Sequence, residues 1–284
     1  MNLLNYNQAT INPYNSKNLL INKNNIQNIL KKYGVFENIN NLGIYQQAFV
    51  HDSYCISHIN RVLERDNVKL VKLQDGIVPL QLSNYERLEY LGDAIIESII
   101  SNYLFIRFNT ENEGFLSRLR VSLVNRMMLA HLSRTLNLGK YMIISRTIED
   151  KESGRIKESN LEDIFEAFIG AMFLDFNKEK KGYQITEKFL INLIEDENTE
   201  LDLVEHILDD GNYKGKLVKY FKKIHKSSIS FRTIESIGNS GDKEITVEVI
   251  QDNQKKVLGT GKGCDLKHAQ QDACKKTLLN LKLI

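Results

Sequence analysis

Apolar residues return every three or four positions between Tyr85 and Phe108, at Leu88, Leu91, Ile95 and Ile99, which is the period of an amphipathic helix. On the opposite side Glu86, Glu89 and Asp93 fall at spacings of three and four, so their carboxylates share one face. The same rhythm predicts helices over Phe115–Leu136, Ser159–Phe176 and Tyr183–Glu195, with shorter ones over Asn24–Tyr33 and about residues 44–54. Gly34 and Gly139 read as helix ends, and Ser159 with Glu162 reads as a capping box. Over residues 67–82 the period changes. Two short apolar runs there flank Asp75-Gly76, a pair favoured in tight hairpins, and Pro79 confines its strand to an edge. Beyond residue 212 the pattern predicts a helix (Lys214–Lys226), three strands (Ser230–Ile237, Glu244–Gln251, Lys255–Gly261) and a last helix (Leu266–Leu281).

These elements divide the chain. Residues 1–22, rich in Asn and Tyr without periodicity, read as a loose arm. An all-α domain is expected over 23–196, interrupted by an insert at about 56–83. The acidic, polar stretch 197–211 reads as a linker, and 212–284 as a small α+β domain of α-β-β-β-α order.

Composition supports that division. With 284 residues, 42% hydrophobic and 26% charged, the chain has the make-up of a soluble globular protein of one large or two ordinary domains. Its net charge of +2 conceals a split: from Asn212 onward there are 15 Lys+Arg against 7 Asp+Glu, which leaves 23 against 29 before it. An acidic part joined to a part of charge +8 suits a metal-binding portion followed by a polyanion-binding one. Cys55, Cys264 and Cys274 are sparse and show no metal-ligand pattern, and the six histidines are scattered, so no zinc site is expected. The N-terminal residues lack a basic n-region and an apolar h-region, and no apolar run approaches a membrane span. A reducing, cytoplasmic setting without a membrane partner follows as the expectation.

The acids carry the chemistry. Carboxylates three and four apart repel by about 0.2–0.5 kcal/mol per pair and are ordinarily a solvated face. Here a second pair, Asp163 and Glu166, repeats the arrangement on another helix. Asp93 and Glu166 also stand inside apolar runs, where charge is costly to bury. Gly92, costing about 1 kcal/mol within a helix, signals a close approach. Two acid-bearing helices facing one another would hold Mg²⁺ through hard oxygen ligands.

Glu86-Arg87-Leu88-Glu89-Tyr90-Leu91-Gly92-Asp93 resembles the signature of the ribonuclease III family of double-stranded-RNA endonucleases. Ala48–Tyr54, Glu113–Arg120 and Lys157-Glu158-Ser159 followed by Asp163–Ala171 resemble its neighbouring blocks, in order, over about residues 44–177. The resemblance implies a helical nuclease domain that works as a Mg²⁺-dependent homodimer, with Mn²⁺ as a substitute, each subunit cutting one strand to leave 5′-phosphate and 3′-hydroxyl ends. It implies Glu89, Asp93, Asp163 and Glu166 as metal ligands, Asp93 and Glu166 as catalytic, and Glu86 and Glu113 as supporting acids. Tyr90 stands where the family usually packs a Phe at the dimer interface. The insert departs from the family, whose signature follows the Ser-Tyr block much sooner.

The C-terminal order, with Gly259-Thr260-Gly261-Lys262-Gly263 before the last helix, resembles a double-stranded-RNA-binding domain. Asp265-Leu266-Lys267 replaces that family's consecutive lysines, and Gly238–Asp242 lacks its Pro and His. Lys262, Lys267, Lys275 and Lys276 are the residues left to meet phosphates. A protein that binds duplex RNA without cutting it is the alternative, and the four intact acids weigh against it.

Overall fold

A computed structural model of the chain describes residues 9–196, 213–237, 244–281 and 283. The chain forms two compact units, Met1–Leu203 and Val204–Ile284.

The first unit is built round one buried helix. Among the described residues its helices are α1 (Lys23–Lys32), α2 (Leu42–Gln47), α3 (Ile56–Asp66), α4 (Glu86–Arg107), α5 (Glu113–Leu123), α6 (Arg126–Thr135), α7 (Arg146–Glu152), α8 (Glu158–Asn177) and α9 (Gly182–Ile194). Helix α8 is buried over most of its surface, and α2, α4, α6 and α9 pack against it. Phe168 at its middle meets the rings of Tyr45, Phe49 and Phe189 at 5.8, 6.2 and 6.0 Å. On α4 the buried positions are Leu88, Gly92, Ile96, Ile99, Ile100, Tyr103 and Leu104, while Leu91 and Ile95 are half-buried.

Several expectations change. The helix expected over Phe115–Leu136 is two, α5 and α6, because Asn125 caps the second: its Oδ1 accepts from the Met128 N–H at 2.9 Å. The capping box at Ser159 is absent, since α8 already begins at Glu158 with no side-chain cap. Gly139 does not end a helix. Asn137, at φ 53°, takes the left-handed turn, and Gly139 lies where a Cβ would stand 2.9 Å from the Arg155 carbonyl oxygen. The helix expected over about 44–54 is α2 followed by a single 3-10 turn at Asp52–Tyr54.

The insert and the arm hold each other. Residues 67–82 form no hairpin, although Asp75-Gly76 does turn, with Gly76 at φ 78°. Strand β2 (Lys69–Leu70) instead pairs in parallel with β1 (Thr10–Ile11) from the arm, and helix α3 fills the insert's first half. The described part of the arm is therefore packed, not loose. Asn15 donates to the Ile144 carbonyl at 3.3 Å and to Glu149 Oε2 at 3.0 Å, while Asn18 both donates to and accepts from the Ile144 backbone. These amides stand in for backbone partners, which is why an Asn-rich segment can dock without apolar periodicity.

The second unit runs α10 (Tyr213–Ile224), β3 (Ile229–Ile237), β4 (Glu244–Gln251), β5 (Lys256–Gly263) and α11 (Leu266–Asn280), with the strands antiparallel in the order β3-β4-β5. The expected α-β-β-β-α order is borne out. Leu217, Phe221, Val249, Ala273, Cys274 and Leu278 form its core. Gly259, Gly261 and Gly263 alternate along β5 beneath Thr277, Ala273 and Ala269, spaced by four on α11; a Cβ at Gly261 would fall 2.1 Å from the Ala273 nitrogen. The linker 197–211 and the loop Gly238–Asp242 lie outside the described residues.

Candidate active site

Two glycines fix how closely the acid-bearing helices pass. A Cβ on Gly92 of α4 would stand 1.8 Å from the Glu166 carbonyl oxygen, and one on Gly170 of α8 would stand 2.2 Å from that of Leu88. The helices therefore meet backbone to backbone, which is the close approach that Gly92 signalled. Glu89 and Asp93 flank Gly92 on one side of this crossing, and Asp163 and Glu166 precede Gly170 on the other.

Charge and burial conflict there. Glu166 is 8% exposed. Burial first, then the charges of Asp93, Glu162, Glu89 and Asp163, push its carboxyl up to about 9. Glu89 is pushed up to about 7 by burial and by Asp163, Glu86, Glu162 and Asp93. Asp163 is raised by burial, against a hydrogen bond of 2.9 Å in which the Tyr85 hydroxyl donates to its Oδ2. Asp93 and Glu86 are exposed at the rim. Each named acid thus acts on another, and an all-oxygen, anionic donor set of this kind fits a hard divalent cation. Their oxygens are spread: among the described residues no three acids bring ligating atoms within 4.8 Å of one another.

Glu113 is not gathered in. It is exposed in the first turn of α5, where it accepts from Ser117 Oγ at 2.8 Å, and the largest charge effects on Glu89 and Glu166 come from other acids. Two residues belong to the site that the sequence reading passed over. Glu162, four before Glu166 on the same face, was assigned to a cap; it acts on both raised glutamates and is held by Arg126 Nε at 2.6 Å. Tyr85, the residue before α4, orients Asp163. Its hydroxyl looks like core in a sequence, and only the fold shows its partner.

In the second unit Lys262 Nζ is paired with Glu244 at 2.7 Å and Lys276 Nζ with Asp272 at 2.6 Å. Lys275 lies over the Tyr213 ring, and exposed Lys267 makes no ion pair among the described residues.

Comparison with known proteins then decides the lineage. The family model described as Ribonuclease III domain matches residues 86–177, and that of the double-stranded RNA binding motif matches 213–281. "Ribonuclease 3" of a Nitratiruptor species is 36% identical over 199 residues, 70% of this chain and 83% of that protein. This chain belongs to the ribonuclease III family. A second member, "Ribonuclease 3" of Latilactobacillus sakei subsp. sakei, is 31% identical over 90% of this chain and 97% of its own length. The nuclease domain of ribonuclease III from Campylobacter jejuni, a solved structure, is 29% identical, covers 61% of this chain and 96% of that one, and superposes with a TM-score of 0.45. The expected ribonuclease III-type endoribonuclease with a double-stranded-RNA-binding domain is borne out by both family models. Among the described residues no helix is long and apolar enough to cross a membrane.

Proposed function

We propose that this ribonuclease III-family chain hydrolyses the phosphodiesters of double-stranded RNA as a Mg²⁺-dependent homodimer, leaving 5′-phosphate and 3′-hydroxyl ends. The observation that carries this reading is the backbone-to-backbone crossing of α4 and α8 at Gly92 and Gly170, which sets Glu89 and Asp93 of one helix against Asp163 and the buried Glu166 of the other. Glu89, Asp93, Asp163 and Glu166 would hold the metal, with Asp93 and Glu166 closest to the chemistry and Glu86 supporting at the rim. Bound there, Mg²⁺ or its substitute Mn²⁺ supplies phosphate charge neutralisation and a water acidified at neutral pH. The protein's own part is positional. Tyr85 fixes Asp163, Arg126 fixes Glu162, and the glycine crossing holds Glu166 buried between the two helices.

Tyr90 supports the dimer. It is 82% exposed, on the signature helix, beside a groove of about 660 Å³ lined by Ile44, Leu91 and Leu174. Two copies related by a two-fold axis would each seat Tyr90 in the other's groove, an isologous contact. We assign residues 1–22 as the arm, 23–196 as catalytic, 197–211 as linker and 212–284 as RNA-binding, with Lys262, Lys267, Lys275 and Lys276 toward the phosphates.

Glu166→Gln keeps the shape of the side chain and removes its charge. Cutting of long duplex RNA in Mg²⁺ should fall by about 10²-fold or more while duplex binding is retained. Wild-type activity in that variant refutes the site; wild-type protein that binds duplex in Mg²⁺ without cutting it refutes the enzyme and leaves a sequestering protein.

A further inference from the structure

In the second unit the described residues bring one set of metal-ligating atoms together: Cys264, Asp265 and His268, all exposed, with their donor atoms within 4.8 Å of one another. Backbone contacts set where the three residues begin. Gly263 ends β5 against the first turn of α11, where a Cβ on it would meet the His268 and Ala269 backbone at 2.7 and 2.4 Å. Asp265 caps that helix, its Oδ1 accepting from the His268 N–H at 2.8 Å. The strand end and the helix start thus deliver residues 264, 265 and 268 to one point.

The direction of the donors selects the chemistry. Cys264 Sγ lies 3.7 Å and Asp265 Oδ2 2.9 Å from the same ring nitrogen, Nδ1 of His268. A nucleophilic relay needs the thiol on one imidazole nitrogen and the carboxylate on the other. Two donors aimed at a single nitrogen cannot pass a proton through the ring. Three ligating atoms this close to one another can share a single cation, and a sulfur–nitrogen–oxygen set selects a thiophilic divalent ion of the Zn²⁺ class over Mg²⁺.

We propose that Cys264, Asp265 and His268 form a Zn²⁺-class site at the start of α11, built from other residues than the acidic cluster and different from it in preference. Binding releases the Cys264 thiol proton and leaves a tetrahedral ion one open position, for water or an oxygen of a bound anion. The local charge rises by one: a neutral thiol with the Asp265 carboxylate becomes a thiolate, a carboxylate and a dication. Asp265 then no longer opposes an anion arriving at this helix end.

Cobalt(II) titration of the full chain in saturating Mg²⁺ tests this, because only a thiolate ligand gives the sulfur-to-cobalt charge-transfer band and the acidic cluster has no sulfur. Cys55 and Cys274 are buried, with thiols pushed up by that burial to about 11 and 12, and do not compete. The band should appear at one equivalent, be bleached by Zn²⁺, vanish in Cys264→Ser and persist in a Cys55→Ser/Cys274→Ser double variant. Asp265→Asn, which retains a capping side chain, should weaken Co²⁺ by about tenfold or more with unchanged circular dichroism. Absence of the band in the wild type, its survival in Cys264→Ser, or Asp265→Asn and His268→Ala variants that bind Co²⁺ like the wild type would each overturn the site.

Discussion

Glu166 is a carboxylate placed where charge is expensive, and that has a signature independent of catalysis. In protein stripped of divalent metal, Glu166 and Glu89 keep protons up to about pH 9 and 7, whereas in the unfolded chain they titrate near the ordinary value of 4.5. The folded state therefore binds more protons than the unfolded one across that window. The part of its stability carried by these protons is fully present below pH 4.5 and is lost as pH rises through about 7 for Glu89 and about 9 for Glu166. Melting temperature in chelator should fall from pH 5.5 to 8.5, Mg²⁺ should restore it mainly on the alkaline side, and Glu166→Gln should flatten the slope. A slope that the substitution leaves unchanged would place the linkage elsewhere. The four principal acids were legible because each side chain repeats a helical spacing. Tyr85 was not, since a tyrosine at a helix start reads as core until its hydroxyl is seen on Asp163.

At the scale of elements the crossing of α4 and α8 does the positioning. Gly92→Ala puts a methyl 1.8 Å from the Glu166 carbonyl oxygen, and the backbone there has no flexible end to yield. Overpacking of this kind costs about 1–3 kcal/mol or more, and separating the helices should lower cleavage more than it lowers the melting temperature. Wild-type activity with unchanged stability would show that the two backbones do not meet at that glycine. Most helices were readable from their apolar period, and Gly92 from its misfit within one. The break at Asn125 was hidden because apolar residues continue in phase on both sides of it. Helix α3 carried a signal in Ile56, Ile59 and Leu63 that the nearby Asp-Gly turn overshadowed. The hairpin failed for a different reason: the partner of β2 is β1, far away in sequence. The Cys264–His268 pair escaped because three ligands drawn from a strand end and a helix cap follow no familiar spacing.

For the whole molecule the division of charge, −6 before Asn212 and +8 after it, predicts how RNA is held. Lys262 and Lys276 are already paired with Glu244 and Asp272, so a phosphate must compete with a carboxylate for either. Lys267 has no such rival among the described residues. In the full chain, Lys267→Ala should weaken duplex RNA evenly across sequences and flatten the log–log salt slope by about one unit, while Lys262→Ala should do less. Slopes measured by fluorescence anisotropy that neither substitution alters would return these lysines to a solvated surface.

The docking of the arm bears on time as well as on place. Asn18 finds the Ile144 backbone across 126 positions of sequence, and β1 waits for β2 in the same way. A ribosome releases the arm first and its seat long afterwards. Helix α1 can form early from local contacts, but the residues ahead of it cannot settle until the segment around Ile144 has emerged. Closure of so long a loop comes late in folding. The arm, made well before its seat, is among the last parts to be finished.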